Sequence, residues 1–130
     1  MKRKGRGIGF TPLSQDKFKL LIDTAFAKNV KIGFDSCSAH KFLDSIKGHE
    51  NYDKLEMNTE PCESFLFSNY CNVDGVVFPC SFCEDEPKWK EGLSIVDCDD
   101  YMKDIWNGGY SELFRSDLLG NQRKCPVFTI

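Results

Sequence analysis

The chain has 130 residues, 41% of them hydrophobic, and a formal net charge of −3, a length and apolar share that suit one modest buried core. The negative charge argues against nucleic acid as a partner, which calls for a basic face that neutralises phosphates. No run approaches the roughly twenty apolar residues of a membrane span, and the amino terminus carries charge without the apolar core of a secretion signal, which points to the cytoplasm.

Lys2, Arg3, Lys4 and Arg6 sit beside Gly5 and Gly7 and read as a solvated start. Thr11-Pro12-Leu13-Ser14 then predicts a helix start, with Ser14 as N-cap and Leu13 placed to staple onto Phe18. A helix over about Gln15 to Lys28 follows, because Phe18, Leu21, Ile22 and Ala25 recur at the helical period and Asn29 suits its end. Val30, Ile32 and Phe34 alternate with Lys31 and Gly33 and predict a short strand. After the break at Asp35-Ser36-Cys37-Ser38, Ala39, Phe42, Leu43 and Ile46 share one face of a second helix, with Gly48 beyond its end. Helix, strand, helix is a piece of an α/β layer, and by itself it lacks the neighbouring strands a parallel sheet needs.

The character changes near Asn51. Leu66–Val73 and Val76–Pro79 flank Asp74-Gly75, a turn signal that predicts a β-hairpin. Glu84 to Gly92 is acidic, contains Pro87 and reads as a surface loop. Asp99 or Asp100 can cap a helix with Met102, Ile105 and Trp106 inward; after Asn107-Gly108-Gly109, another helix groups Tyr110, Leu113, Phe114 and Leu118 and ends at Gly120 and Asn121. The fold class expected is α+β, divided into residues 1–50 and 51–130.

Seven cysteines, an odd number, in a compartment that keeps thiols reduced point to metal or cluster ligation or to plain buried thiols. Cluster ligands come from turns and strand ends, where the backbone can aim several side chains at one point. Cys37, Cys62, Cys80 and Cys125 all lie at such breaks. Cys80-Ser81-Phe82-Cys83 has the two-residue spacing that turns both sulfurs toward one metal. Cys71 falls inside the first hairpin strand and suits core packing, and Cys98 lies between two aspartates that disfavour a thiolate. His40 and His49 are expected as exposed helix residues.

Cys62-x12-Gly75-x4-Cys80 resembles the opening of the SPASM and Twitch domains, which hold auxiliary clusters behind the catalytic barrel of radical S-adenosylmethionine enzymes. Tyr70-x-x-Val73-Asp74-Gly75-Val76-Val77-Phe78-Pro79-Cys80 is similar to the family hairpin, Asp104-Ile105-Trp106 and Phe114-Arg115 to its two-helix segment, and Cys125-Pro126 to its closing ligand. Lys4-Gly5-Arg6-Gly7 and Gly33-Phe34-Asp35-Ser36-Cys37 resemble the last barrel strands before such a domain. The resemblance implies that residues 1–50 are a short α/β excerpt of a partial barrel and that 51–130 form a cluster-binding domain of β-hairpin plus helices. It implies one [4Fe-4S] cluster on Cys62, Cys80 and Cys125, with Cys37 as the fourth ligand and Cys83 its rival.

The Cys-x3-Cys-x2-Cys motif that binds the cluster cleaving S-adenosylmethionine in this superfamily is not in the sequence. The chain is therefore expected to be a truncated portion with no radical catalysis of its own, meeting S-adenosylmethionine only together with the missing amino-terminal half. Its expected partners are that barrel or a peptide substrate. Two other readings stand beside this one: a zinc-stabilised structural module using Cys80, Cys83 and two further ligands, and an interaction domain whose acidic loop from Glu84 to Glu91 meets a partner.

Overall fold

A computed structural model describes residues 13–34 and 36–127; the basic start, the Lys4–Gly7 resemblance, Thr11-Pro12 and Asp35 lie outside the described residues. Helices and one small antiparallel sheet make the chain α+β. The described residues form two compact units, a helical unit of residues 13–62 and a hairpin unit of residues 63–127. None of the described helices is long and apolar enough to cross a membrane.

The helical unit opens with α1, Gln15–Ala27, which buries Phe18, Ile22 and Ala25 at the predicted period and leaves Leu21 at the margin, 43% exposed. Ser14 takes the extended N-cap backbone, but its side chain makes no capping bond. Asn29 ends the helix at φ +52°, with its N–H on the Phe26 carbonyl and that of Val30 on the Ala25 carbonyl; this paired closure satisfies carbonyls the helix leaves over. Helices α2, Ala39–Ser45, and α3, Tyr52–Met57, complete the unit; α3 had no expected counterpart.

The expected strand over Val30 to Phe34 does not form. Its one strand-like pairing is an isolated parallel bridge from Phe34 to Thr59, and Val30 is 56% exposed. The alternation has a different use: Ile32 and Phe34 pack on the core of Phe18, Ile22, Phe42, Ile46 and Leu55. The Phe34 ring stacks on Phe42 with centroids 3.6 Å apart, and Phe18 tilts against both at 5.7 and 6.2 Å.

Neither histidine is an exposed helix residue. His40 lies on α2 and is half-buried. His49 lies between α2 and α3, its side chain 8% exposed, with Nε2 3.0 Å from Asp23 Oδ1 and Nδ1 accepting the Asn51 N–H at 3.0 Å. That backbone donor fixes the ring hydrogen on Nε2, where it points at the carboxylate.

The hairpin unit holds β1, Tyr70–Cys71, β2, Val76–Phe78, and β3, Leu93–Ser94, in the order β1-β2-β3. Tyr70 pairs with Phe78 and Cys71 with Val77, and on the other edge Val77 pairs with Leu93. The turn falls where Asp74-Gly75 predicts it: Gly75, at φ +74°, donates to the Asn72 carbonyl, and Asn72 Oδ1 accepts from Asp74 and Val76 N–H. The first strand is much shorter than Leu66–Val73, because Phe65 turns to φ +55° and Leu66 and Phe67 fold their N–H groups back onto the Glu63 carbonyl.

Nor is Glu84 to Gly92 merely a surface loop. Trp89 inside it is 2% exposed, and the segment delivers β3 to the sheet. Gly92 makes the entry, at φ +57°; a Cβ there would lie 2.5 Å from Val76 Cγ1 and 2.9 Å from the Val77 carbonyl oxygen.

After β3 comes a π-helical segment, Tyr101–Trp106, capped at Asp100: the Lys103 N–H reaches Asp100 Oδ1 and Asp104 Oδ2 accepts the Asp100 N–H. Ile105 is buried but Met102 is 54% exposed, since the wider turn moves it off the inner face. Helix α4, Gly109–Gly120, then buries Ser111, Phe114 and Leu118. Its end is carried one step beyond Asn121, by Gln122 and Arg123 at positive φ with N–H groups on the Leu119 and Leu118 carbonyls.

Two outcomes test these cores. Phe42→Ala should lower stability by about 3–5 kcal/mol, against no more than about 0.5 kcal/mol for Leu20→Ala at a 65% exposed position, both read from urea unfolding. Gly92→Ala should destabilise by more than about 1 kcal/mol, whereas Gly109→Ala, where a Cβ meets nothing, should not lower the unfolding midpoint.

Candidate metal centre

The fold distributes the predicted ligands over both units. Cys37, half-buried just ahead of α2, and Cys62, buried after Pro61, belong to the helical unit. Cys80, Cys83 and Cys125 belong to the hairpin unit.

Within the hairpin unit, β2 runs into the fully buried Pro79, which delivers Cys80 at the strand end. Proline suits this place because the ladder needs no further donor there. The chain turns at once: the Cys83 N–H donates to the Cys80 carbonyl at 3.0 Å, and the Glu86 N–H to the Cys83 carbonyl at 3.1 Å. The two thiols end on the same side, with Sγ atoms 3.6 Å apart. Cys83 is fully buried and Cys80 partly exposed.

The electrostatics of the pair follow from this closeness. The Cys83 thiol is pushed far above the ordinary range, first by its hydrogen bond with Cys80, then by burial, then by the charge of Cys80. The charge of Cys125 acts in the same direction, which puts the third thiol within electrostatic reach of Cys83. Tyr110 lies beside the same group: burial, then the charges of Cys83 and Cys80, raise its phenol above the usual tyrosine range. Its hydroxyl donates to the Trp89 carbonyl at 2.6 Å. No local pattern points to Tyr110, whose place here comes from α4 packing against Trp89, ring centroids 5.6 Å apart.

The other two thiols take different places. Cys71, expected in the core, is exposed, because β1 is an edge strand and that side chain points away from the packed face; its thiol rests on the Asn72 carbonyl at 3.5 Å. Cys98, left out of the ligand set, is half-buried with its thiol on the Ile95 carbonyl at 3.4 Å.

The thiols of Cys80, Cys83 and Cys125 are soft donors of the kind that zinc and iron–sulfur clusters take. Among the described residues, no three His, Cys, Asp or Glu side chains converge closely enough to hold a metal ion. The Cys80–Cys83 pair places two such donors side by side, 3.6 Å apart.

The raised Cys83 value has a signed consequence in chelator-treated, reduced protein. Above the ordinary thiol pKa the unfolded chain releases a proton that the folded chain keeps, so stability present below that pH is lost as pH rises through it. Between about pH 8 and about pH 10 the melting temperature should fall, and Cys83→Ala should flatten the slope; equal slopes for the two proteins would refute the assignment. No family model, curated protein or solved structure matches this chain.

Proposed function

We propose that the chain is the auxiliary-cluster portion of a radical S-adenosylmethionine enzyme and binds a [4Fe-4S] cluster through its cysteines. In this reading residues 1–50 are the end of a barrel and 51–130 the cluster-binding domain. The observation that carries it is Cys80 at the end of β2, where the backbone turns and leaves a partly exposed thiol, with Cys83 and Cys125 in the same unit. The spaced motif gives further support, since its Gly75 occupies the positive-φ place of the hairpin turn and its Cys80 the strand end. The thiols would anchor the cluster, and the cluster would supply electron transfer or a substrate anchor. No radical initiation is assigned to these 130 residues, which lack Cys-x3-Cys-x2-Cys.

One observation favours a second reading. Two thiolates on a single tetrahedral ion, each about 2.3 Å from it, are about 3.8 Å apart, close to the 3.6 Å between Cys80 and Cys83. In a [4Fe-4S] cluster each thiolate takes its own iron, which spreads the sulfurs more widely. A zinc-stabilised structural module therefore stands as the alternative.

Metal analysis decides between them. Protein purified or reconstituted without oxygen should show a broad visible thiolate-to-iron band and about four irons per chain. Cys62→Ser, Cys80→Ser and Cys125→Ser should each abolish it, and serine at Cys37 or at Cys83 shows which of these two is the fourth ligand. One zinc per chain, with a tetrahedral spectrum on cobalt substitution, replaces the cluster by the zinc module; a colourless protein without bound metal sinks both.

A further inference from the structure

The Cys80–Cys83 turn also supports chemistry that needs no metal. A disulfide bond is about 2.05 Å long and joins residues whose Cα atoms lie about 4.4–6.8 Å apart. A hydrogen-bonded four-residue turn brings its ends within about 7 Å, and here the Cys83 N–H closes on the Cys80 carbonyl at 3.0 Å with the sulfurs 3.6 Å apart. Closing the bond takes a side-chain movement of the turn and no rearrangement of the sheet. Access is asymmetric, since Cys80 is partly exposed and Cys83 is fully buried. A dissolved disulfide therefore meets Cys80 first, and Cys83 waits behind it as the second sulfur.

We propose that Cys80 and Cys83 form a redox-active dithiol that exchanges with small disulfides, Cys80 as the entering sulfur and Cys83 as the resolving one. In the first step the Cys80 thiolate attacks one sulfur of glutathione disulfide, a Cys80–glutathione bond forms, and one glutathione leaves and takes up the proton Cys80 gave up. In the second step the Cys83 sulfur attacks Cys80 Sγ, the Cys80–Cys83 bond forms, and the second glutathione leaves with the proton from Cys83. Two protein thiols are oxidised, one glutathione disulfide is reduced to two thiols, and the reverse steps restore the dithiol. The closed form withdraws both sulfurs from any metal, whichever metal the reduced form takes, so the inference does not depend on the cluster reading.

The test uses the full chain, reduced and stripped with a chelator, then incubated with glutathione disulfide, alkylated with iodoacetamide under denaturing conditions and digested for mass spectrometry. The expected result is loss of both alkyl labels from Cys80 and Cys83, with the two joined to each other. Cys83→Ser should trap glutathione on Cys80, and added dithiothreitol should return both labels in the wild-type chain. Labels retained on both cysteines of the wild-type chain, or Cys83 joined to Cys125 instead, would overturn the proposal without bearing on metal content. The wild-type measurement decides even if the serine variant fails to fold.

Discussion

The hairpin unit depends on one guanidinium. Arg115, on α4, donates to the Phe65 carbonyl at 3.1 Å and to the Trp106 carbonyl at 2.7 Å, with its charge over the Trp106 ring at 5.9 Å. Both carbonyls are left over where the chain departs from regular structure, one at a positive-φ turn and one at the end of a π-helical segment, and a buried carbonyl without a partner is costly. A fork of fixed donors can satisfy two such groups at once. Arg115 thereby fixes Phe65, whose ring meets Trp106, Tyr110 and Phe114 edge-on at 6.1–6.2 Å.

From that cluster the placement of the thiols follows. Trp89 packs edge-on against Phe114 and Tyr110, at 5.0 and 5.6 Å, and accepts the Tyr110 hydroxyl at its carbonyl. The segment Glu84 to Gly92 is pinned to α4 by these contacts, with the Lys88–Asp117 ion pair at its margin. The turn at Cys80–Cys83 is therefore held between β2 on one side and Trp89 on the other, and Tyr110 is brought beside it. Two thiols so close cannot both ionise without a cation between them, and the fold as described favours the protonated Cys83. A bound metal or a covalent bond between the sulfurs would each remove that conflict, and both proposals for this turn rest on it.

The helical unit is organised differently, by hydrophobic contact rather than by a polar clamp. The stacked rings of Phe34 and Phe42 and the tilted Phe18 join an extended segment to two helices, and the Phe34–Thr59 bridge adds the chain after α3 to the same core. His49, nearly buried between Asp23 and the Asn51 N–H, ties α1 to the start of α3.

Where periodicity or turn chemistry is local, the sequence determined the outcome by itself. The helical repeat of Phe18, Ile22 and Ala25 specifies α1, the stripe of Ala39 and Phe42 specifies α2, and Asp74-Gly75 specifies the hairpin turn, since each depends on residues a few positions apart. Cys80-x2-Cys83 likewise announces a pair of sulfurs facing one way. Tertiary structure decided the rest, because burial is set by neighbours distant in the chain. Val30–Phe34 alternates like a strand but meets one bridge partner; Cys71 has the pattern of a core residue but lies on an edge strand; Trp89 sits in an acidic loop but fills the space against α4. The company of Tyr110 at the thiol pair is decided in the same way, by α4 packing against Trp89, which no spacing of cysteines encodes.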